Sequence, residues 1–204
     1  MVTKQIARRG VTDRRVLAAM DHVPRERFVP AQQRHLAYAD QPLPIGLDQT
    51  ISQPYIVALM AECAQLTRTS KVLEIGTGSG YAAAVIAHIV KHVWTVERLQ
   101  ELAEDSKKRF RELGITNVTT LVTDGALGHE AAAPYDAIIV SAAAPSPPKS
   151  LQEQLALDGH LVVPVGDRSF QDLCVIRRTA TGYSERSHGA CRFVPLVSPE
   201  AFHD

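Results

Sequence analysis

The residues best placed to do chemistry surround a glycine-rich turn. Val72-Leu73-Glu74-Ile75-Gly76-Thr77-Gly78-Ser79-Gly80-Tyr81 runs from a short apolar stretch into a helical pattern. Glycines at such a junction let backbone come close to a ligand, and a helix start offers unpaired N–H groups. Glu97 follows 17 residues after Gly80, at the end of the next apolar stretch. A carboxylate there can accept hydrogen bonds from both hydroxyls of a ribose. Other ligand loops do not fit. A dinucleotide fingerprint needs glycine where Tyr81 stands, the Gly-Lys-Ser/Thr ending of a P-loop is missing, and Gly78 occupies the centre of what would be a nucleophile elbow. Asp124-Gly125 closes a third apolar stretch; alone it is an ordinary turn pair, but it falls in register with the other two strand-end groups. Upstream, Thr50 and Ser52 put two small hydroxyl side chains at a loop-to-helix junction.

The elements that must hold these groups alternate. Strands are predicted at 71–75, 92–96, 118–122, 136–140 and 161–165, with helices from the glycine loop to about 90, at 99–113 and near 149–155. Short apolar runs separated by helical patterns imply βαβ units and a mostly parallel sheet buried on both faces. Gly114 stands where a helix stop is expected. Runs 171–178 and 192–197, with Thr181-Gly182 as a turn and no helix between them, predict antiparallel strands finishing the sheet. The fold class is α/β. The first third is irregular, broken by Pro24, Pro30, Pro42 and Pro44. Thr12-Asp13 is expected to cap a helix running to Met20, and Ser52 to cap one with Pro54 in its first turn.

Composition narrows the function further. The 204 residues carry 22 basic and 22 acidic side chains, a balance unlike that of a dedicated nucleic-acid binder. The apolar run Tyr81–Ala87 has seven residues, against roughly 20 for a bilayer span. The basic N-terminus leads into no apolar core of a secretion signal, and Cys63, Cys174 and Cys191 form no paired pattern, so a reduced cytoplasmic setting is expected. His88 and His92 lie four apart on one helix but lack a third ligand, so no metal site is expected.

An acidic residue followed by GxGxG resembles the nucleoside-binding loop of S-adenosylmethionine-dependent methyltransferases. More of the chain is similar to the protein-L-isoaspartate O-methyltransferase family. The matching residues are Val23-Pro24-Arg25-Glu26-Arg27-Phe28-Val29, Thr50–Tyr55, Val72–Tyr81, Ala133–Val140, Leu161–Gly166 and Phe193–Leu196. This resemblance implies a Rossmann-like methyltransferase fold with S-adenosyl-L-methionine as cofactor. It also implies methyl transfer to the free α-carboxylate of L-isoaspartyl residues in damaged proteins and peptides. It assigns Ser52 as the catalytic residue. The cofactor would meet Ile45, Gly46, Leu47, Asp48, Glu74, Gly76, Thr77, Gly78, Ser79, Glu97, Asp124 and Gly125, with Asp124 toward the adenine. The peptide would meet Thr50, Gln53, Val194, Pro195, Leu196 and Val197. Ser141-Ala142-Ala143-Ala144 would form the site floor. Asp48 and Thr123 stand where the family usually has glycine, and Ala126 and His129 where it often has larger or aromatic residues.

The expected organisation is one domain over 1–204: a substrate and cap region to about 69, a cofactor core over 70–165, and C-terminal strands over 166–204. The expected partners are isoaspartyl proteins and peptides, with no nucleic acid or membrane, and the expected state is a monomer. Two alternatives share the same residues: a carboxyl methyltransferase acting on aspartate of a dedicated peptide, and a cofactor-binding module without catalysis. Ser52 together with Glu97 speaks against the second.

Overall fold

Along the central strands, alternate side chains enter two separate cores. Val72, Val93, Ala137, Ile139 and Val162 join one; Leu73, Ile75, Val96, Ile138, Val140, Leu161 and Val163 join the other. That period-two split makes these strands apolar on both faces, as a sheet covered by helices on each side requires. The structure is a computed structural model and describes residues 1–203.

In chain order the elements are α1 (Arg14–His22), a short hairpin of β1 (Leu43–Gly46) and β2 (Gln49–Ile51), and α2 (Pro54–Cys63). Then come β3 (Lys71–Ile75), α3 (Tyr81–Ala87), β4 (His92–Glu97), α4 (Gln100–Glu112) and β5 (Val118–Val122). The chain finishes with β6 (Tyr135–Val140), α5 (Lys149–Glu153), β7 (Leu155–Gly166), β8 (Gln171–Thr179) and β9 (Gly182–Cys191). Seven strands form one sheet in the order β5-β4-β3-β6-β7-β8-β9. Pairings from β5 through β7 are parallel, and β8 and β9 add antiparallel to the β7 edge. Strand β3 has β4 on one side and β6 on the other, so the connections diverge there. That switch point, at the carboxyl ends of the strands, is where open α/β sheets collect ligands.

The α/β reading holds, as do the boundaries of β3 and β5. Asp13 caps α1 as expected, its carboxylate accepting from the Arg15 amide at 2.8 Å. Gly114 is left-handed at the end of α4, with φ 67°. Three expectations need correction. The last strand is Gly182–Cys191, not 192–197; the latter segment makes only isolated bridges, from Pro195 to Ala143 and from Val197 to Phe202. The proline-rich first third contains the β1–β2 hairpin, which tolerates Pro44 because a two-stranded ribbon loses little from a missing donor, while Pro42 directly precedes β1. Helix α2 starts at Pro54 with Gln53 as its cap position, so Ser52 stands one residue too early to cap it. Asp40 takes that role from a distance, accepting from the Tyr55 amide at 3.0 Å.

No helix is long and apolar enough to cross a membrane among the described residues.

Candidate active site

The loop after β3 turns on glycines. Gly80, the cap position of α3, has φ 87°, and a Cβ there would lie 2.8 Å from the Phe110 ring. Glycine therefore satisfies both the left-handed backbone and the close packing of α4. The amides of Gly76 and Thr77 both donate to the Val96 carbonyl, at 2.8 and 3.2 Å, tying the turn to the end of β4.

Glu97 completes that tie. Its Oε2 accepts from the Gly78 amide at 2.9 Å and its Oε1 from the Leu99 amide at 3.0 Å. Each carboxylate oxygen keeps a second lone pair, and the residue lines the cavity at the strand ends. Below it, Glu74 is fully buried. The Thr95 hydroxyl donates to its Oε2, and Thr77 hydrogen-bonds Thr95 in turn at 2.6 Å. Its Oε1 is buried without a hydrogen-bond partner among the described residues. Burial pushes the Glu74 carboxyl up to about 8, against the lowering pull of Thr95. Asp124 opens the turn after β5, with Oδ1 accepting from the Ala126 amide at 2.9 Å and Oδ2 from the Ser198 hydroxyl at 2.7 Å.

These groups border one cavity of about 490 Å³. Of the expected site residues, it brings together Asp48, Thr50, Ser52, Glu74, Gly76, Thr77, Gly78, Ser79, Glu97, Gly125, Val194, Pro195, Leu196 and Val197. Ile45, Gly46, Leu47, Gln53 and Asp124 are not part of its lining. Ile45 still packs near the loop, 3.6 Å from where a Cβ on Gly78 would stand. Gln53 turns away, donating to Asp40 Oδ2 at 2.8 Å. Ser141 and Ala142, from the expected floor, also line the cavity.

The wall at 194–197 is fastened by backbone. Ala143 donates to the Val194 carbonyl at 2.8 Å, and Leu196 donates to the Ala143 carbonyl at 2.7 Å. The cavity also takes in residues outside the expected site set, including Gln49, Arg98 and Arg168, and Tyr81, which the sequence marked only as ending the glycine loop. Arg168 follows β7 in a loop without a motif, and its Nη2 donates to the His203 carbonyl at 2.7 Å. Nothing local in the sequence marks that approach.

The hairpin turn explains one departure from the family pattern. Leu47 and Asp48 both lie in the left-handed region, at φ 52° and 55°. Glycine is the residue that occupies such positions without cost, which accounts for its usual presence at 48. Nothing in the structure explains Thr123. His88 stacks edge-on against His22 with ring centroids 4.5 Å apart, and His92 hydrogen-bonds Thr119 at 2.9 Å. No group of three or more metal-ligating side chains occurs among the described residues.

A switch-point cavity, a glycine turn and a strand-end carboxylate on a mostly parallel sheet define a Rossmann-like methyltransferase fold. The chain belongs to the protein-L-isoaspartate(D-aspartate) O-methyltransferase family, whose model matches residues 1–201. It is 53% identical to the protein-L-isoaspartate O-methyltransferase of Protochlamydia amoebophila, over 99% of this chain and 97% of that protein. Two solved structures are also similar. One is a protein-L-isoaspartate O-methyltransferase with 28% identity and a TM-score of 0.87; the match covers 96% of this chain, which spans only 64% of that longer one. The other is a Plasmodium falciparum protein described as a protein-L-isoaspartate O-methyltransferase (β-aspartate methyltransferase), in complex with S-adenosyl-L-homocysteine, with 26% identity, a TM-score of 0.81 and 94% of each chain covered.

Proposed function

We propose that this protein repairs damaged proteins by moving a methyl group from S-adenosyl-L-methionine to the free α-carboxylate of L-isoaspartyl residues. The products are a methyl ester and S-adenosylhomocysteine. The observation that carries this reading is the meeting of Ser52 and Glu97 on one cavity in a chain of this family.

The cavity suits the cofactor on its own chemistry. Glu97, fixed by two amides, presents its remaining lone pairs as ribose acceptors. Glu74 borders the cavity with its Oε1 unpartnered, and the neutral acid that prevails at pH 7 can donate to a polar ligand group. Gly76, Thr77, Gly78 and Ser79 supply the turn around the amino-acid end, and Gly125 and Asp124 the adenine end. Ile45, Gly46, Leu47 and Asp48 form the hairpin that covers it. The cofactor, when bound, supplies a sulfonium-activated methyl group.

The chain then has little acid–base work to do. A carboxylate with an ordinary pKa near 4 is already ionised at neutral pH. The Ser52 hydroxyl donates to one carboxylate oxygen and aims the other toward the methyl carbon. Holding oxygen, carbon and sulfur in line supplies about 7–11 kcal/mol in favourable cases. Thr50 and Gln53 flank this point on the chain, and Val194, Pro195, Leu196 and Val197 form the wall that keeps water from the carboxylate. The neighbouring backbone amide nitrogen then attacks the ester carbonyl and expels methanol, closing a succinimide whose hydrolysis by water returns some normal aspartate.

In this reading the three regions to about 69, 70–165 and 166–204 work as one domain, acting as a cytoplasmic monomer without nucleic acid. The balance of 22 basic and 22 acidic residues supports a surface that accepts many different damaged proteins. Incubating a purified isoaspartyl peptide with the protein and cofactor, then separating peptides by chromatography, tests the repair. Growth of the aspartyl peptide only when cofactor is present is expected; an unchanged isoaspartyl peptide contradicts it.

A further inference from the structure

We propose that Arg25 is a positioning residue that clamps Ser52 through its backbone; the inference rests on the role given to Ser52 above. Arg25 sits in a single helical turn, Arg25–Phe28, and is completely buried. Its Nη2 donates to the Ser52 carbonyl at 2.8 Å and its Nε to the Ala37 carbonyl at 2.8 Å. The guanidinium carbon lies 4.7 Å from the centroid of the Tyr81 ring. Tyr81 is the first residue of α3, directly after the glycine turn, and lines the cavity. One buried cation thus touches the segment carrying Ser52 and the helix that closes the cofactor turn.

Burying a guanidinium is costly, and such groups are normally paired with carboxylates. Arg25 instead directs two donors to backbone carbonyls, and its Nη1 is buried without a partner among the described residues. A planar fork holds both carbonyls in one fixed geometry, whereas the three donors of an ammonium rotate on a flexible stem. Asp40 secures the other side of the same serine. It accepts from the Tyr55 amide at 3.0 Å, from Gln53 at 2.8 Å and from Arg9 at 2.6 Å. Arg25 holds the carbonyl of Ser52 and Asp40 holds Gln53 and Tyr55, so the backbone that carries the hydroxyl keeps a fixed position without a helix cap. In-line transfer is sensitive to displacements of about 1 Å.

The test uses Arg25→Lys and Arg25→Ala in the full chain. Because misplacement on this scale costs about 100-fold, kcat on an isoaspartyl peptide is expected to fall about 10- to 100-fold in Arg25→Lys. The Kd for S-adenosylhomocysteine, measured by calorimetry, is expected to change far less than kcat, since Arg25 bonds neither Glu97 nor the glycine turn and meets that side only through the face of Tyr81. Added guanidinium at non-denaturing concentration is expected to raise kcat of Arg25→Ala, with sodium at equal ionic strength inert. Amide exchange over residues 50–55 is expected to quicken in Arg25→Lys while β3 stays protected. Wild-type turnover reports on the proposed activity itself; the exchange pattern reports on the clamp even if that activity is missing. A kcat within twofold of wild type in Arg25→Lys overturns the clamp, as does unchanged exchange over 50–55. So does a loss of turnover matched by an equal loss of S-adenosylhomocysteine affinity.

Discussion

The Glu97 carboxylate accepts the Gly78 amide at 2.9 Å, so the residue proposed to hold the ribose also holds the glycine turn in shape. Glu97→Ala removes the acceptor for both Gly78 and Leu99, which are half-buried where they line the cavity. A hydrogen bond to a charged group is worth about 1.5–3 kcal/mol. The Kd for S-adenosylhomocysteine is expected to rise by at least about tenfold, the equivalent of 1.4 kcal/mol. Calorimetric titration of wild type and variant checks it; equal affinities would contradict the ribose role.

Ser52→Ala separates aiming from binding. The variant keeps the carbonyl that Arg25 holds and removes only the hydroxyl. One lost hydrogen bond to a charged group is worth about 1.5–3 kcal/mol, so kcat is expected to fall about 10- to 150-fold. The Kd for S-adenosylhomocysteine should stay at the wild-type value. Unchanged turnover would remove Ser52 from the mechanism.

Glu74 predicts a pH-dependent stability. Its carboxyl titrates at about 8 in the fold against 4.5 in the unfolded chain. Between those values the folded protein binds the extra proton, so stability falls as pH rises through that window and levels off above it. The ligand-free protein should therefore lose several kcal/mol of this group's contribution from pH 5 to pH 8. Glu74→Gln should flatten that part of the profile. Urea unfolding at a series of pH values makes the comparison.

Gly125 offers a steric test at the adenine end. A Cβ there would sit 2.4 Å from Ile75 Cγ2, inside β3. Gly125→Ala must displace the Ile75 side chain, its strand or the turn, at a cost of about 1–3 kcal/mol. A lower melting temperature together with weaker S-adenosylhomocysteine binding is expected. A variant as stable as wild type would show that the turn yields freely.

The central sheet was legible because its strands are buried on both faces. Val72-Leu73 and Ile138-Ile139 are continuous apolar pairs that only a covered parallel sheet uses, and the glycine turn and Glu97 follow at strand ends. Strand β9 left no such signal: Gly182–Ala190 is exposed throughout, so no face alternates with another. The apolar run Phe193–Val197 comes instead from a segment fastened to Ala143 through Val194 and Leu196. The β1–β2 turn was hidden because Leu47 and Asp48 hold left-handed backbone without the usual glycine or asparagine. Within the site, the contact between Arg25 and Ser52 spans 27 positions, and no periodicity reports a side chain reaching a distant carbonyl.

The most direct test of the account is methyl transfer from labelled S-adenosyl-L-methionine to two peptides identical except for aspartate or L-isoaspartate at one position. Base-labile label on the isoaspartyl peptide alone is the predicted result. Equal label on both peptides, or none on either, would contradict it.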